Sequence, residues 1–273
     1  MFKRFLLVPL CLFTSALAFA DHHEETEAAS GPEGASDLRA EYQFCTLNKG
    51  KTLKDVDKYS QKYGTFAAEN GVKYNQTLLT PVHAGASMGD YTHIIVGHWP
   101  NGREMYKDWG VYLNQFQDKH PNLKSPHTCN ANFATFQLRV VQAWDESMGM
   151  DPRRPVQYAD CSLNDGKTLD DAVAAERSAA ELVASVGLKG YGVNYILPYL
   201  GQTSTDYDFI SLFYFQTYAA RGEMAFNYHK VSAEAEAITG EVYTCENPRS
   251  YILFFQNKLH FFLDENLLSA DRE

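Results

Sequence analysis

Basic residues are scarce in this 273-residue chain. Lys and Arg number 24 against 34 Asp and Glu, and two of the 24, Lys3 and Arg4, stand at the N-terminus. Without that pair the balance is 22 to 34, a formal charge of −12. No basic stripe is left to track phosphates, so neither nucleic acid nor an anionic membrane surface is expected as a partner. Cysteine is sparse: five residues, one of them (Cys11) inside the N-terminal apolar run. That run, Phe5 to Phe13, is too short for a membrane span. A phosphate loop is missing as well. Gly50-Lys51-Thr52 and Gly166-Lys167-Thr168 resemble its end, but Cys45 and Cys161 stand where the motif needs glycine. No nucleophile with an adjacent base and no metal-ligand spacing can be identified.

What is present begins with a leader. Lys3 and Arg4, the apolar run and Ala18-Phe19-Ala20 have the order of a cleavable signal peptide over residues 1–20. A periplasmic or secreted location is therefore expected, with no membrane attachment after cleavage. Four cysteines remain, and an even count in an exported chain reads as disulfides. Residues 21–38 are acidic and small, which predicts a disordered tail. If the mature chain starts at Asp21, His23 in third position completes a Cu(II)-type N-terminal site.

The rest of the chain is written twice. Cys45-Thr46-Leu47-Asn48-Lys49-Gly50-Lys51-Thr52-Leu53 recurs as Cys161-Ser162-Leu163-Asn164-Asp165-Gly166-Lys167-Thr168-Leu169. Cys129 and Cys245, Gly71 and Gly187, and Asp90 and Asp206 keep the same offset of 116. The repeats are placed at 39–144 and 156–258, with a Gly- and Pro-containing linker at 145–155 and a C-terminal extension at 259–273. Each copy reads strand, helix, strand, strand, helix, strand. Thr52 with Asp55, and Thr168 with Asp171, supply capping boxes, and Gly71 and Gly187 supply helix ends. This order is a ferredoxin-like βαββαβ unit. Its fourth strand lies antiparallel beside its first, which predicts the disulfides Cys45–Cys129 and Cys161–Cys245.

Element order and duplication together resemble the dimeric α+β barrel superfamily. The resemblance implies an α+β fold in which two ferredoxin-like units pack sheet to sheet, here as an intramolecular pseudo-dimer and hence a monomer. That superfamily includes cofactor-free monooxygenases, haem-degrading oxygenases and haem-dependent chlorite dismutases.

Alternation along the strands suggests a pocket between the two sheets. Ile94 and Val96, with Ile210 and Leu212, are expected under each unit's own helices. The opposite face carries Tyr91, His93, Ile95, Gly97 and Trp99, and strand one and its copy add Tyr42, Tyr158 and Asp160. Such an aromatic wall suits a small apolar or aromatic molecule. A plainly filled core suits it slightly better, since aromatic interiors are common packing. His83, His93 and His98 fall in the first copy only, so a single pocket is expected there, with Asp160 orienting His93. The Asn, Trp and His that the resemblance implies around haem are not all present in either copy. Trp99 stands in the first, and His229 on the matching helix of the second. No cofactor is predicted; haem through His229, or Cu(II) through His23, are the candidates. The functions weighed are an exported small-molecule-binding protein, a cofactor-free monooxygenase-like enzyme, and a structural or interaction module of the cell envelope.

Overall fold

The computed structural model describes residues 38–84, 90–201 and 206–255. The expected leader and tail, with His23, and the expected C-terminal extension lie outside the described residues. The chain runs β1 (Arg39–Leu47), α1 (Leu53–Glu69), β2 (Asn75–His83), β3 (His93–Trp99), α2 (Gly102–Val111), a π-helical stretch Tyr112–Phe116, α3 (Gln117–Lys119) and β4 (His127–Ala143). It then repeats the order with β5 (Arg153–Leu163), α4 (Leu169–Ser185), β6 (Tyr191–Leu200), β7 (Phe209–Phe215), α5 (Tyr218–Asn227), a 3-10 turn Tyr228–Lys230, α6 (Ser232–Gly240) and β8 (Tyr243–Phe255). The starts of α1 and α4, of β3 and β7, and of α2 and α5 all stand 116 residues apart.

The helix signals act as the sequence suggests. Asp171 Oδ2 accepts the Thr168 N–H at 2.8 Å, and Thr168 Oγ1 accepts the Asp171 N–H at 3.2 Å. Asp55 accepts the Thr52 N–H at 2.9 Å. Each such cap is worth about 1 kcal/mol. Gly71 and Gly187 take φ of 65° and 80°, the left-handed turn that ends α1 and α4.

The strands close into an eight-stranded antiparallel barrel in the order β1-β3-β2-β8-β5-β7-β6-β4. Within each half the sheet order is that of a ferredoxin-like unit. The halves do more than face each other: β2 pairs with β8 and β4 with β6, so the outer strand edges of each half are hydrogen-bonded to the other. Closure removes the exposed edges that two separate sheets would leave. Cys45 stands opposite Cys129 and Cys161 opposite Cys245, and both disulfides form as expected.

One expectation is inverted. In β3, Ile94 and Val96 point into the barrel, in a cluster with Tyr42, Tyr158, Ile196 and Tyr251. Trp99 instead packs beneath α1 and α2, with Tyr63, Phe66 and Met105. Ile95 likewise faces outward, against Val56. The register explains it: Phe44 lies opposite Ile94 and Tyr42 opposite Val96, and directly opposed residues share a face. Tyr42 and Tyr158 do face inward, while β3 runs one residue out of phase with the expected alternation.

Candidate functional site

The residues expected to form one pocket fall on two faces of the sheet. Tyr42 and Tyr158 meet edge to face in the barrel lumen, with ring centroids 6.2 Å apart. The space they border with Leu79, Ile94 and Arg249 is only about 20 Å³, room for one water, so this part of the lumen is packed. Tyr91 closes this end, its hydroxyl 2.8 Å from that of Tyr251. Asp160 is 2.8 Å from Arg249. His93 is on the far side of the sheet, fully buried, with its Nε2 3.0 Å from His127 Nδ1. The expected His93–Asp160 pair therefore does not form, because the true phase of β3 puts the two on opposite faces. Burial, reinforced by His127, holds His93 down at about 4. Cys45 lies beside both imidazoles, but its sulfur is committed to Cys129, so among the described residues the cluster offers a cation two nitrogens only. His98 does point into the lumen, 3.1 Å from Thr77 Oγ1, and burial pulls it down to about 3.

The open space lies in the second half, between α4–α6 and the outer face of the sheet. There a cleft of about 920 Å³ is lined by residues of α4, α5, α6, β7 and β8. The corresponding place in the first half holds only about 160 Å³. Side-chain size accounts for the difference. Tyr63, Trp109 and Phe116 fill the first half. At the 116 offset their counterparts are Ala179, Ala225 and Ser232, and all three line the cleft. In the first half Trp99 also lies over Gly97, where a Cβ would meet the indole at 2.6 Å; the second half has Phe213 there. The expectation that the histidine-rich copy carries the pocket is thus corrected. The histidine-rich half spends its large aromatics on packing, and the alanine-rich half leaves the space.

The cleft is apolar with a few directed polar groups. Met224, Phe213, Phe215 and Val183 form its walls. Tyr191 and Ser211 are buried, and among the described residues the Tyr191 hydroxyl and Ser211 Oγ have no hydrogen-bond partner. Glu176 is 6% exposed, accepts the hydroxyls of Tyr243 and Tyr195, and is held above the usual carboxylate range by burial. Arg221 and His229 line the rim. The second-half helix breaks at Tyr228–Lys230, where the first half continues through its π-helical stretch. His229 sits in that break and is exposed, and its Nδ1–H donates to the Phe226 carbonyl at 2.8 Å. That bond fixes the tautomer and leaves the Nε2 lone pair available to a metal. The sequence pointed to His229 but not to its neighbours. Comparing the copies position by position for large-to-small changes would have found Ala179, Ala225 and Ser232.

No protein-family model matches this chain, and no curated protein does. Among solved structures it is similar to an anthrone oxidase-like protein, at 11% identity over 82% of this chain and 96% of that one, TM-score 0.46. It is similar to a haem-binding protein from Thermus thermophilus, at 8% identity over 86% and 94%, TM-score 0.44. It is also similar to chlorite dismutase from Candidatus Nitrospira defluvii in complex with imidazole, at 9% identity over 80% and 91%, TM-score 0.45. At such identities and TM-scores the likeness carries no role over to this chain.

Proposed function

We propose that this chain is an exported binding protein, a fused duplicate of a ferredoxin-like unit, whose second half takes a large, flat, mainly apolar molecule. The observation that carries this reading is the cleft of about 920 Å³, at a position that the first half fills. Its size is at the upper end for small-molecule sites. The donor set fits a metalloporphyrin such as haem: an apolar slot, an imidazole whose Nε2 faces away from its one hydrogen bond, and two buried hydroxyls unsatisfied among the described residues. His229 would hold the metal through its Nε2, and Arg221 would offer a cation to an acidic edge. Tyr191 and Ser211 would hydrogen-bond polar groups reaching the sheet. Bound haem would supply electron-transfer or ligand-binding chemistry at its iron.

The test is titration of the mature chain with hemin, followed by absorbance. Wild type should give a saturable Soret shift, and His229→Ala should change its position and weaken binding by about tenfold or more. An identical spectrum and affinity for the variant would remove His229 from the reading. A second reading rests on Glu176, a buried carboxyl bordering the same cleft with raised proton affinity. It could accept a phenolic proton in cofactor-free oxidation of a flat aromatic by oxygen. Oxygen uptake with hydroxyaromatics, lost in Glu176→Gln, would support that alternative.

A further inference from the structure

A second cavity lies inside the barrel, at the end away from Tyr91. It measures about 90 Å³, and its polar lining includes Arg139, Arg154, His98, Gln137 and Asn194. Among the described residues no carboxylate lines it. Two guanidiniums therefore border one small space. Arg154 is 6% exposed; burial pulls it down to about 10, so it stays charged at neutral pH. Tyr214 and Asp151 act on it in the opposite sense, and the Asp151 carboxylate accepts the Tyr218 N–H at 2.9 Å.

Two further atoms define what would fit. Arg139 on β4 and Asn194 on β6 are directly opposed across the strand pair, so both point into the lumen. Arg139 Nε, a donor, and Asn194 Oδ1, an acceptor, are buried and have no hydrogen-bond partner among the described residues. Asn194 itself is 8% exposed. Buried polar atoms without partners are rare, and each costs about 1–3 kcal/mol. An occupant that satisfies both carries an anion and, next to it, a hydrogen-bond donor. Val156, Leu212 and Tyr214 supply apolar wall for a short carbon chain. The volume sets the size: a cavity of about 150 Å³ takes benzene, so about 90 Å³ takes an acid of a few carbons. Gln142, part of the lining, is exposed and marks the way in.

We propose that this end of the barrel lumen is a binding site for a small hydroxycarboxylate, with Arg139 and Arg154 on the carboxylate and Asn194 Oδ1 accepting from the hydroxyl. The site is separate from the second-half cleft and does not depend on the reading of that cleft.

The experiment is calorimetric titration of the mature chain with lactate, its neutral amide, propionate and inorganic phosphate. Lactate should bind and raise the unfolding midpoint. Lactamide, without the anion, should bind about tenfold or more weakly, and propionate, without the hydroxyl, several-fold more weakly. Arg139→Gln should weaken lactate by about tenfold while far-UV circular dichroism stays that of wild type. Should that variant not fold, Arg139→Lys, which keeps the charge and loses Nε, should still lower affinity. Equal binding of lactate and lactamide, no binding of lactate, or phosphate binding as tightly as lactate would each overturn the assignment.

Discussion

Asp108 shows how the first half uses the space that the second leaves open. It is 3% exposed, accepts the Tyr63 hydroxyl, and is pushed up to about 7, chiefly by burial. The unfolded carboxyl loses its proton near its ordinary value of 3.8, the folded one near 7, so stability is lost as pH rises through that window. Asp108→Asn keeps an acceptor for Tyr63 and removes this loss. At pH 8 it should be more stable than wild type by about 2–4 kcal/mol, and the gain should fade towards pH 4. Thermal unfolding across that range is the check; a pH-independent difference would rule out the buried carboxyl as its source. His93 acts in the opposite direction. Its proton affinity is lowered to about 4 from 6.5, so its contribution to stability is lost as pH falls below 6.5.

At the scale of elements, the two helical layers differ more in bulk than in design. α1 and α4 share length, cap and terminating glycine. What differs is the set of side chains turned to the sheet: Tyr63 against Ala179, and Trp109 against Ala225. Ala225→Trp, alone or with Ala179→Tyr, should therefore close the cleft. Hemin binding should fall by about tenfold or more, while the unfolding midpoint stays or rises, because apolar surface is added to an existing void. A midpoint that drops steeply would mean that the α5–α6 layer cannot accept the first half's packing. The break at Tyr228–Lys230 belongs to this scale as well. It displaces His229 from a regular helix face, and only the folded layer shows that the imidazole borders the cleft.

For the whole molecule, the β2–β8 and β4–β6 pairings make the halves one barrel. All three tryptophans, Trp99, Trp109 and Trp144, belong to the first half of the sequence, and Trp144 meets Tyr214 of the second edge to face, so their fluorescence reports the first half and its seam with the second. Far-UV circular dichroism reports both. In denaturant the two signals should give coincident transitions, because neither half can leave without stranding the other's edges; separated midpoints would mean that the halves fold independently. The disulfides act on the same unit. Each spans 84 residues, and replacing either pair with alanine should cost about 2–5 kcal/mol. The equal spans imply similar losses for Cys45–Cys129 and Cys161–Cys245.

Much of this was legible in the residues. The 116 offset, the capping pairs at Thr52 and Thr168, the glycine ends and the four cysteines determined the element order, the α+β class and both disulfides, because these are local or pairwise signals. Tertiary structure alone decided which face of β3 looks inward and which half is open. Alternation separates two sets of residues, but in a barrel covered by helices both sets are buried, so hydropathy cannot say which is which. Only the register of β1 against β3 does. The cleft is likewise no property of one segment. It is the volume left when Ala179, Ala225 and Ser232, from three helices, meet a sheet that elsewhere faces Tyr63, Trp109 and Phe116.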